Sequence, residues 1–340
     1  MTSQPSHLTR WYIDTRPLTE STPTLPLLDT LQPTQQESIK RFFHLKDRHM
    51  SLASNLLKYL FIHRTCHIPW SDIKISRTAA PHHRPCFIPS ANTPTPEFNV
   101  SHQASLVALA GTSSPPPPPT TTTPSPSLPS PLNPSSPHLP QVGIDITCVN
   151  ERRNPKTPPP TIQSLADFVD IFAEVFSARE LATIKSFARQ TGDVEAGYRL
   201  FYAYWALKEA YIKMTGEALL APWLRELEFT NVVAPAPGST APYTGVQTWL
   251  YREKVEDVRV ELVAFEEDYL IATAARGGVV GLSSGSGPSG SLGSGGVDVG
   301  DGAGAGAAEE GDDAWGLLEM VDIERDVRPC ATGVCGCLGS

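Results

Sequence analysis

Apolar residues recur at steps of three and four through residues 198–215. Leu200, Tyr204, Leu207, Tyr211 and Met214 fall on one stripe of a predicted helix. Glu209 and Lys213, at i and i+4, share another face with Trp205 and Ile212 nearby. Gly216 then stops the helix. Alternation at Val142, Ile144 and Ile146 predicts a strand over 142–149, with Asp145 and Thr147 on its opposite side. Phe98-Asn99-Val100-Ser101-His102 predicts a short strand ending in a polar corner, before the apolar strand at 105–110.

The remaining pattern completes two blocks. Thr34-x-x-Glu37 caps a short helix, and a longer one follows with Ala53, Leu56, Leu57, Leu60 and Phe61 on one face. Pro69–Asp72 reads as a turn leading to strands near Ile73–Ser76 and Phe87. The second block holds a helix near 164–174 and a helix from 178 to about 190 opened by the capping box of Ser177 and Glu180. Strands near 225–230, 246–251, 258–265 and 269–275 complete it. Helices mixed with antiparallel strands define the class α+β.

Composition sets the boundaries. The 33 prolines and 25 glycines are unevenly spread. Residues 112–140, with five consecutive prolines, predict an extended Pro/Ser/Thr-rich insertion between an N-terminal part, 1–111, and a C-terminal part, 141–276. Residues 277–313 are rich in Gly and Ser and predict a flexible segment. In 314–340, a short helix from Trp315 is expected to fold back on the core, ahead of a cysteine-containing tail.

A net charge of −9 argues against general nucleic-acid binding. No apolar run approaches a transmembrane length, and the polar start lacks the features of a signal peptide. Six irregularly spaced cysteines fit a reducing cytoplasm better than a disulfide scaffold. Cys330, Cys335 and Cys337 cluster, but no fourth ligand with finger-like spacing is visible. His7, His63, His67 and His138 show no ligand spacing and are expected at the surface.

The candidate chemistry starts from Asp145, because Asp is depleted in strands, and from Glu209 and Lys213 on one helix face. Each has a plainer reading: an edge-strand residue facing solvent, and a solvated salt bridge. Ser101 and His102 offer hydrogen bonds to phosphate oxygens, or simply form a polar turn. Gly143 would let a ligand or another backbone come close.

In this order the motifs resemble the Sfp-type 4′-phosphopantetheinyl transferases. Those enzymes carry F-N-x-S-H, G-(I/V)-D-(I/V) and W-x-x-K-E-(A/S)-x-x-K. The counterparts here are Phe98–His102, Gly143–Ile146 and Trp205–Lys213, and Phe176-Ser177-Ala-Arg-Glu180 is similar to the family's F-S-x-x-E. The resemblance spans roughly residues 10–275. It implies two similar α+β subdomains about a pseudo-twofold axis, with coenzyme A in the cleft. It also implies that Asp145 and Glu209 hold Mg²⁺, with Mn²⁺ as a substitute. An acceptor serine of an apo acyl or peptidyl carrier protein would attack the pantetheine-side phosphorus and release 3′,5′-ADP. Glu209 would take the serine proton, and Lys213 would neutralise or protonate the departing phosphate. Lys208 would share that work or face the pantetheine arm. Arg84 would pair with the 3′-phosphate, Ser101 and His102 would touch phosphate, and Lys46 and Arg48 would serve the nucleotide. The enzyme is expected to be a monomer without membrane or nucleic-acid partners. One departure is Thr147, where many members carry a second acid. A non-catalytic coenzyme A or carrier-binding module and a nucleotide pyrophosphate hydrolase stay open as alternatives.

Overall fold

The computed structural model describes residues 7–78, 83–90, 93–115, 139–150, 159–217, 221–281 and 313–338. In chain order these form β1 (Leu8–Asp14), α1 (Arg16–Ser21), α2 (Pro33–Lys40), α3 (Leu45–Cys66), β2 (Ile75–Arg77), β3 (Pro85–Phe87), β4 (Thr95–Gln103) and β5 (Leu106–Ser114). After these come β6 (Gln141–Cys148), α4 (Ile162–Asp170), α5 (Ala178–Thr191), α6 (Val194–Thr215), β7 (Leu227–Thr230), β8 (Gln247–Leu250) and β9 (Glu253–Lys254). The chain closes with β10 (Val258–Phe265), β11 (Tyr269–Arg276), β12 (Trp315–Met320) and α7 (Arg328–Ala331). The mixture is α+β, as expected. The bulk of 112–140 and of 277–313 lies outside the described residues.

Two sheets position the site. One has the order β12-β1-β5-β4, and α3 packs on its β4 and β5 strands. The other has the order β10-β11-β6, and α6 packs on β6 and β11. The predicted apolar face of α3 is buried throughout, as are all five residues of the predicted α6 stripe. Gly216 ends α6 with a left-handed φ of 81°. Ser177 and Glu180 form the capping box expected at α5.

The two sheets meet along β4 and β6, and no main-chain ladder joins them. Alternate side chains of β4 satisfy alternate amides of β6 instead. The Ile144 amide donates to Asn99 Oδ1 at 3.1 Å, the Ile146 amide to Ser101 Oγ at 3.2 Å, and the Cys148 amide to Gln103 Oε1 at 3.0 Å. An edge strand with unpaired amides would otherwise be costly to bury.

Gly143 shows what the close approach is for. A Cβ there would sit 2.0 Å from the Ala210 carbonyl oxygen and 2.4 Å from the Met214 nitrogen. The glycine therefore admits the backbone of α6 against β6, rather than a ligand.

Three expectations need correction, and one strand was not foreseen. Trp315–Met320 is not a helix but a strand, parallel to β1, with Leu8 opposite Trp315 and Tyr12 opposite Met320. The open edge of β1 provides the ladder, and the Trp315 ring is held among Arg10, Arg259 and the Val280 carbonyl. Val280 is itself fully buried, so residues from 277 onward enter an ordered turn before the Gly/Ser-rich stretch. The first strand of the chain, β1, carried no recognised pattern. Finally, α2 begins at Pro33 with no side-chain cap, so Thr34 is inside the helix and not its cap.

Candidate active site

Asp145 lies at the middle of β6 and is buried, because α6 covers its face of that strand and β4 runs along the strand's edge. Its carboxylate accepts three hydrogen bonds and keeps acceptor capacity on Oδ2. Thr147 Oγ1 donates to Oδ2 at 2.9 Å, while Ser101 Oγ and Lys213 Nζ donate to Oδ1 at 3.1 and 2.6 Å. The alternation that predicted Asp145 and Thr147 on one side of the strand thus brings the hydroxyl to the acid. It also settles the plainer reading: Asp145 does not face solvent.

Ser101 is the joint of the group. Its hydroxyl accepts from the Ile146 amide and from Lys213 Nζ at 2.9 Å, and donates to Asp145. One donor and two acceptor positions are all a hydroxyl has, so Ser101 is saturated by protein. In this arrangement it orients Asp145 and Lys213 and has no capacity left for phosphate. His102 points to the other face of β4 and remains exposed. Its imidazole is held below its ordinary pKa by the surrounding protein first, and then by the charges of Lys213 and Lys58.

Glu209 faces the same space from α6, one turn before Lys213. Burial pushes its carboxyl up to about 7 from 4.5, the nearby Asp145 charge adds to this, and Lys213 opposes it. Two carboxylates therefore meet over one lysine. That arrangement raises proton affinity at one of the acids and invites a cation.

Other predicted residues fall elsewhere. Lys208 does not join the group: it points away from β6 and is completely buried. Its ammonium pairs with Glu180 Oε2 at 2.9 Å, donates to the Leu224 carbonyl at 3.1 Å, and also bonds the Leu227 carbonyl. Glu180 in turn accepts from the Ser177 and Phe229 amides, each at 2.9 Å. The expectation of a cofactor contact for Lys208 is corrected by this enclosure, which leaves no path to a ligand. Arg84 lies beside the C-terminal end of α6 against Gly216, with its guanidinium on Glu97 at 3.0 Å and on the Val142 carbonyl at 3.4 Å. It thus touches β6 three positions before Asp145. Lys46 is exposed in the first turn of α3, and Arg48 folds back to the Phe42 carbonyl at 2.7 Å.

One cation had no sequence signal. Lys58 sits inside the apolar run of α3 and is buried, with no acidic partner among the described residues. Burial, and then the charge of Arg77, pull its ammonium down to about 8. Its setting among leucines on the sequence hid it.

Comparison with known proteins identifies the family. The family model for the N-terminal part of 4′-phosphopantetheinyl transferases matches residues 19–114, and that for the 4′-phosphopantetheinyl transferase superfamily matches residues 141–274. The chain is 58% identical to 4′-phosphopantetheinyl transferase A of Aspergillus fumigatus, over 97% of its own length and 96% of the relative's. It is 54% identical to 4′-phosphopantetheinyl transferase NpgA of Emericella nidulans, with the same coverage of both chains. It is 28% identical to the human L-aminoadipate-semialdehyde dehydrogenase-phosphopantetheinyl transferase, over 73% of this chain and 67% of the other. With both halves matched and such identity across nearly the whole length, the chain belongs to the 4′-phosphopantetheinyl transferase superfamily. It is a transferase of the phosphopantetheine group, and coenzyme A is the family's co-substrate. Among the described residues no helix is long and apolar enough to cross a membrane.

Proposed function

We propose that the Asp145–Glu209–Lys213 group is the catalytic centre of a Mg²⁺-dependent transfer of 4′-phosphopantetheine from coenzyme A to a serine of apo carrier proteins. The observation that carries this is the convergence of Asp145 and Glu209, from separate elements, on a space that they share with Lys213. The donor set suits a hard divalent cation: two carboxylates, and a threonine hydroxyl where many relatives have an acid. Asp145 and Glu209 would hold Mg²⁺, or Mn²⁺ in its place. The ion would screen the pyrophosphate charge and leave room for phosphate oxygens and water.

The chain's own residues supply the rest. Glu209, with a proton affinity near neutral pH, accepts the proton of the attacking serine hydroxyl. The bond from that oxygen to the pantetheine-side phosphorus forms as the bond to 3′,5′-ADP breaks. Lys213, held by Ser101 and Asp145, presents its positive charge to the leaving phosphate. Arg84 and Lys58 would serve as cations for the cofactor's phosphates and His102 as a neutral hydrogen-bonding imidazole, and the exposed Lys46 with Arg48 extends this towards the nucleotide. In this reading the two sheets with their long helices are the related subdomains 1–111 and 141–276, about a pseudo-twofold axis, and the enzyme acts as a cytoplasmic monomer. The six cysteines, all free, fit a reducing compartment.

The test uses purified enzyme, coenzyme A and an apo carrier protein, with carrier mass as readout. Wild-type enzyme adds one phosphopantetheine in the presence of Mg²⁺ and none without a divalent ion. Asp145→Asn retains its fold and loses transfer by about a hundredfold or more. Full transfer by that variant at saturating Mg²⁺ would remove Asp145 from the site. Coenzyme A cleavage without any acceptor would instead favour a pyrophosphate hydrolase.

A further inference from the structure

The cysteine cluster of the tail finds its missing partner in α3. His63, Cys330, Cys335 and Cys337 bring one imidazole nitrogen and three sulfurs together, with all four atoms within 4.8 Å of one another. His63 Nε2 lies 3.1 Å from Cys335 Sγ, and Cys330 Sγ lies 3.7 Å from Cys337 Sγ. His63 is not a surface residue, contrary to its lack of sequence spacing: it is almost wholly buried. Its partners come from 267 or more positions further along the chain, so no local spacing could announce them.

We propose that these four residues bind one structural Zn²⁺ that clamps the C-terminal tail to the N-terminal half of the molecule. Three arguments converge. The first is distance. Tetrahedral zinc with Zn–S of about 2.3 Å separates two sulfurs by about 3.8 Å, and a sulfur from a nitrogen by about 3.6 Å. The observed 3.7 Å matches, and the 3.1 Å pair needs only a small outward movement. It is also far from the roughly 2.05 Å of a disulfide, so the sulfurs are not bonded to each other.

The second argument is the tautomer. His63 Nδ1 lies 2.7 Å from the Ile68 carbonyl oxygen, which can only accept, so Nδ1 carries the proton. The neutral ring then directs the Nε2 lone pair at the sulfurs, the arrangement in which a backbone carbonyl orients a metal-bound histidine. The third is the tail's conformation. The Val334 and Cys335 amides both donate to the Pro329 carbonyl, at 2.9 and 3.0 Å, and His67 Nδ1 lies 3.0 Å from the Cys337 carbonyl oxygen. The chain thus curls so that three sulfurs face α3. Four protein ligands leave no open position, so the ion would be structural rather than catalytic. Binding displaces the three thiol protons, and no redox change is involved.

The experiment is metal analysis of the full-length chain, purified with reductant and without chelator, then incubated with zinc and dialysed. One zinc per chain is expected. Replacement by Co²⁺ should give thiolate-to-cobalt charge transfer and the intense visible bands of a tetrahedral site. Cys335→Ser and Cys337→Ser, both at partly exposed positions, should weaken retention by more than about tenfold, while Cys86→Ser keeps the metal. Circular dichroism confirms that each variant is folded. Reduced, folded wild-type chain without zinc would overturn the proposal. So would a cobalt spectrum lacking thiolate charge transfer, or full zinc retention by both tail variants. Mg²⁺-dependent transfer does not enter these readouts, so the site stands or falls apart from the catalytic assignment.

Discussion

Glu209→Gln should stabilise the metal-free enzyme while disabling it. The Glu209 carboxyl rises from 4.5 to about 7 on folding, mainly through burial and then through the Asp145 charge. A raised carboxyl pKa means that the folded state holds the proton more tightly than the unfolded chain. Stability from this group is therefore full below pH 4.5 and is lost as pH climbs to about 7. At about 1.4 kcal/mol for each tenfold change in proton affinity, the loss reaches up to about 3 kcal/mol above neutrality. Glutamine imitates the protonated acid and escapes it. In magnesium-free buffer at pH 8 the variant should unfold at a higher denaturant midpoint, or roughly 5 °C higher in temperature. At pH 5 its advantage should shrink to under about 1 kcal/mol. Added Mg²⁺ should raise the wild-type midpoint and leave the variant unmoved, while transfer by the variant falls by about a hundredfold or more. An advantage independent of pH, or larger at low pH, would refute the buried-carboxylate argument. A chelator is to be avoided in this assay, because it would also strip zinc from the tail.

Three further outcomes follow from the geometry. Lys208→Met should cost about 3–5 kcal/mol by leaving Glu180 buried without its partner, as read by equilibrium unfolding. A raised KM for coenzyme A at unchanged stability would return Lys208 to the cofactor. Gly143→Ala forces its methyl into the backbone of α6, and should lower both stability, by about 1–3 kcal/mol, and transfer; normal values for both would mean the helix can withdraw freely. Arg84→Ala should raise KM for coenzyme A more than it lowers kcat, and reduce the preference over dephospho-coenzyme A. A wild-type preference ratio would remove Arg84 from the 3′-phosphate.

Much of this was legible in the sequence wherever a local period governs the outcome. The stripe of α6, the alternation in β6 and the Ser177–Glu180 box depend on neighbours three, four or two positions away, and the structure keeps them. Periodicity gives the face a residue occupies but not what covers that face. Lys208 and Lys213 are both lysines of one motif, yet one is sealed against Glu180 and the other meets Asp145. Trp315–Met320 has residues that suit either state, and its choice was made by β1, about 300 positions earlier. His63 looked unremarkable for the same reason. Its role depends on a tail that the chain delivers only at its end.

The seam between β4 and β6 gives the F-N-x-S-H pattern a second meaning. A strand presents alternate residues to one side, so Asn99, Ser101 and Gln103 are the positions that can reach the amides of β6. The unspecified residue between the asparagine and the serine is the pleat itself, pointing away. Because these bonds come from side chains and not from a ladder, a single substitution can unfasten one rung without disturbing either sheet. Ser101 is the rung that also carries Asp145 and Lys213. One hydroxyl therefore fastens a rung of the seam and also aims the proposed catalytic groups, and a change there would be felt as a misaligned reaction before it was felt as a weaker fold.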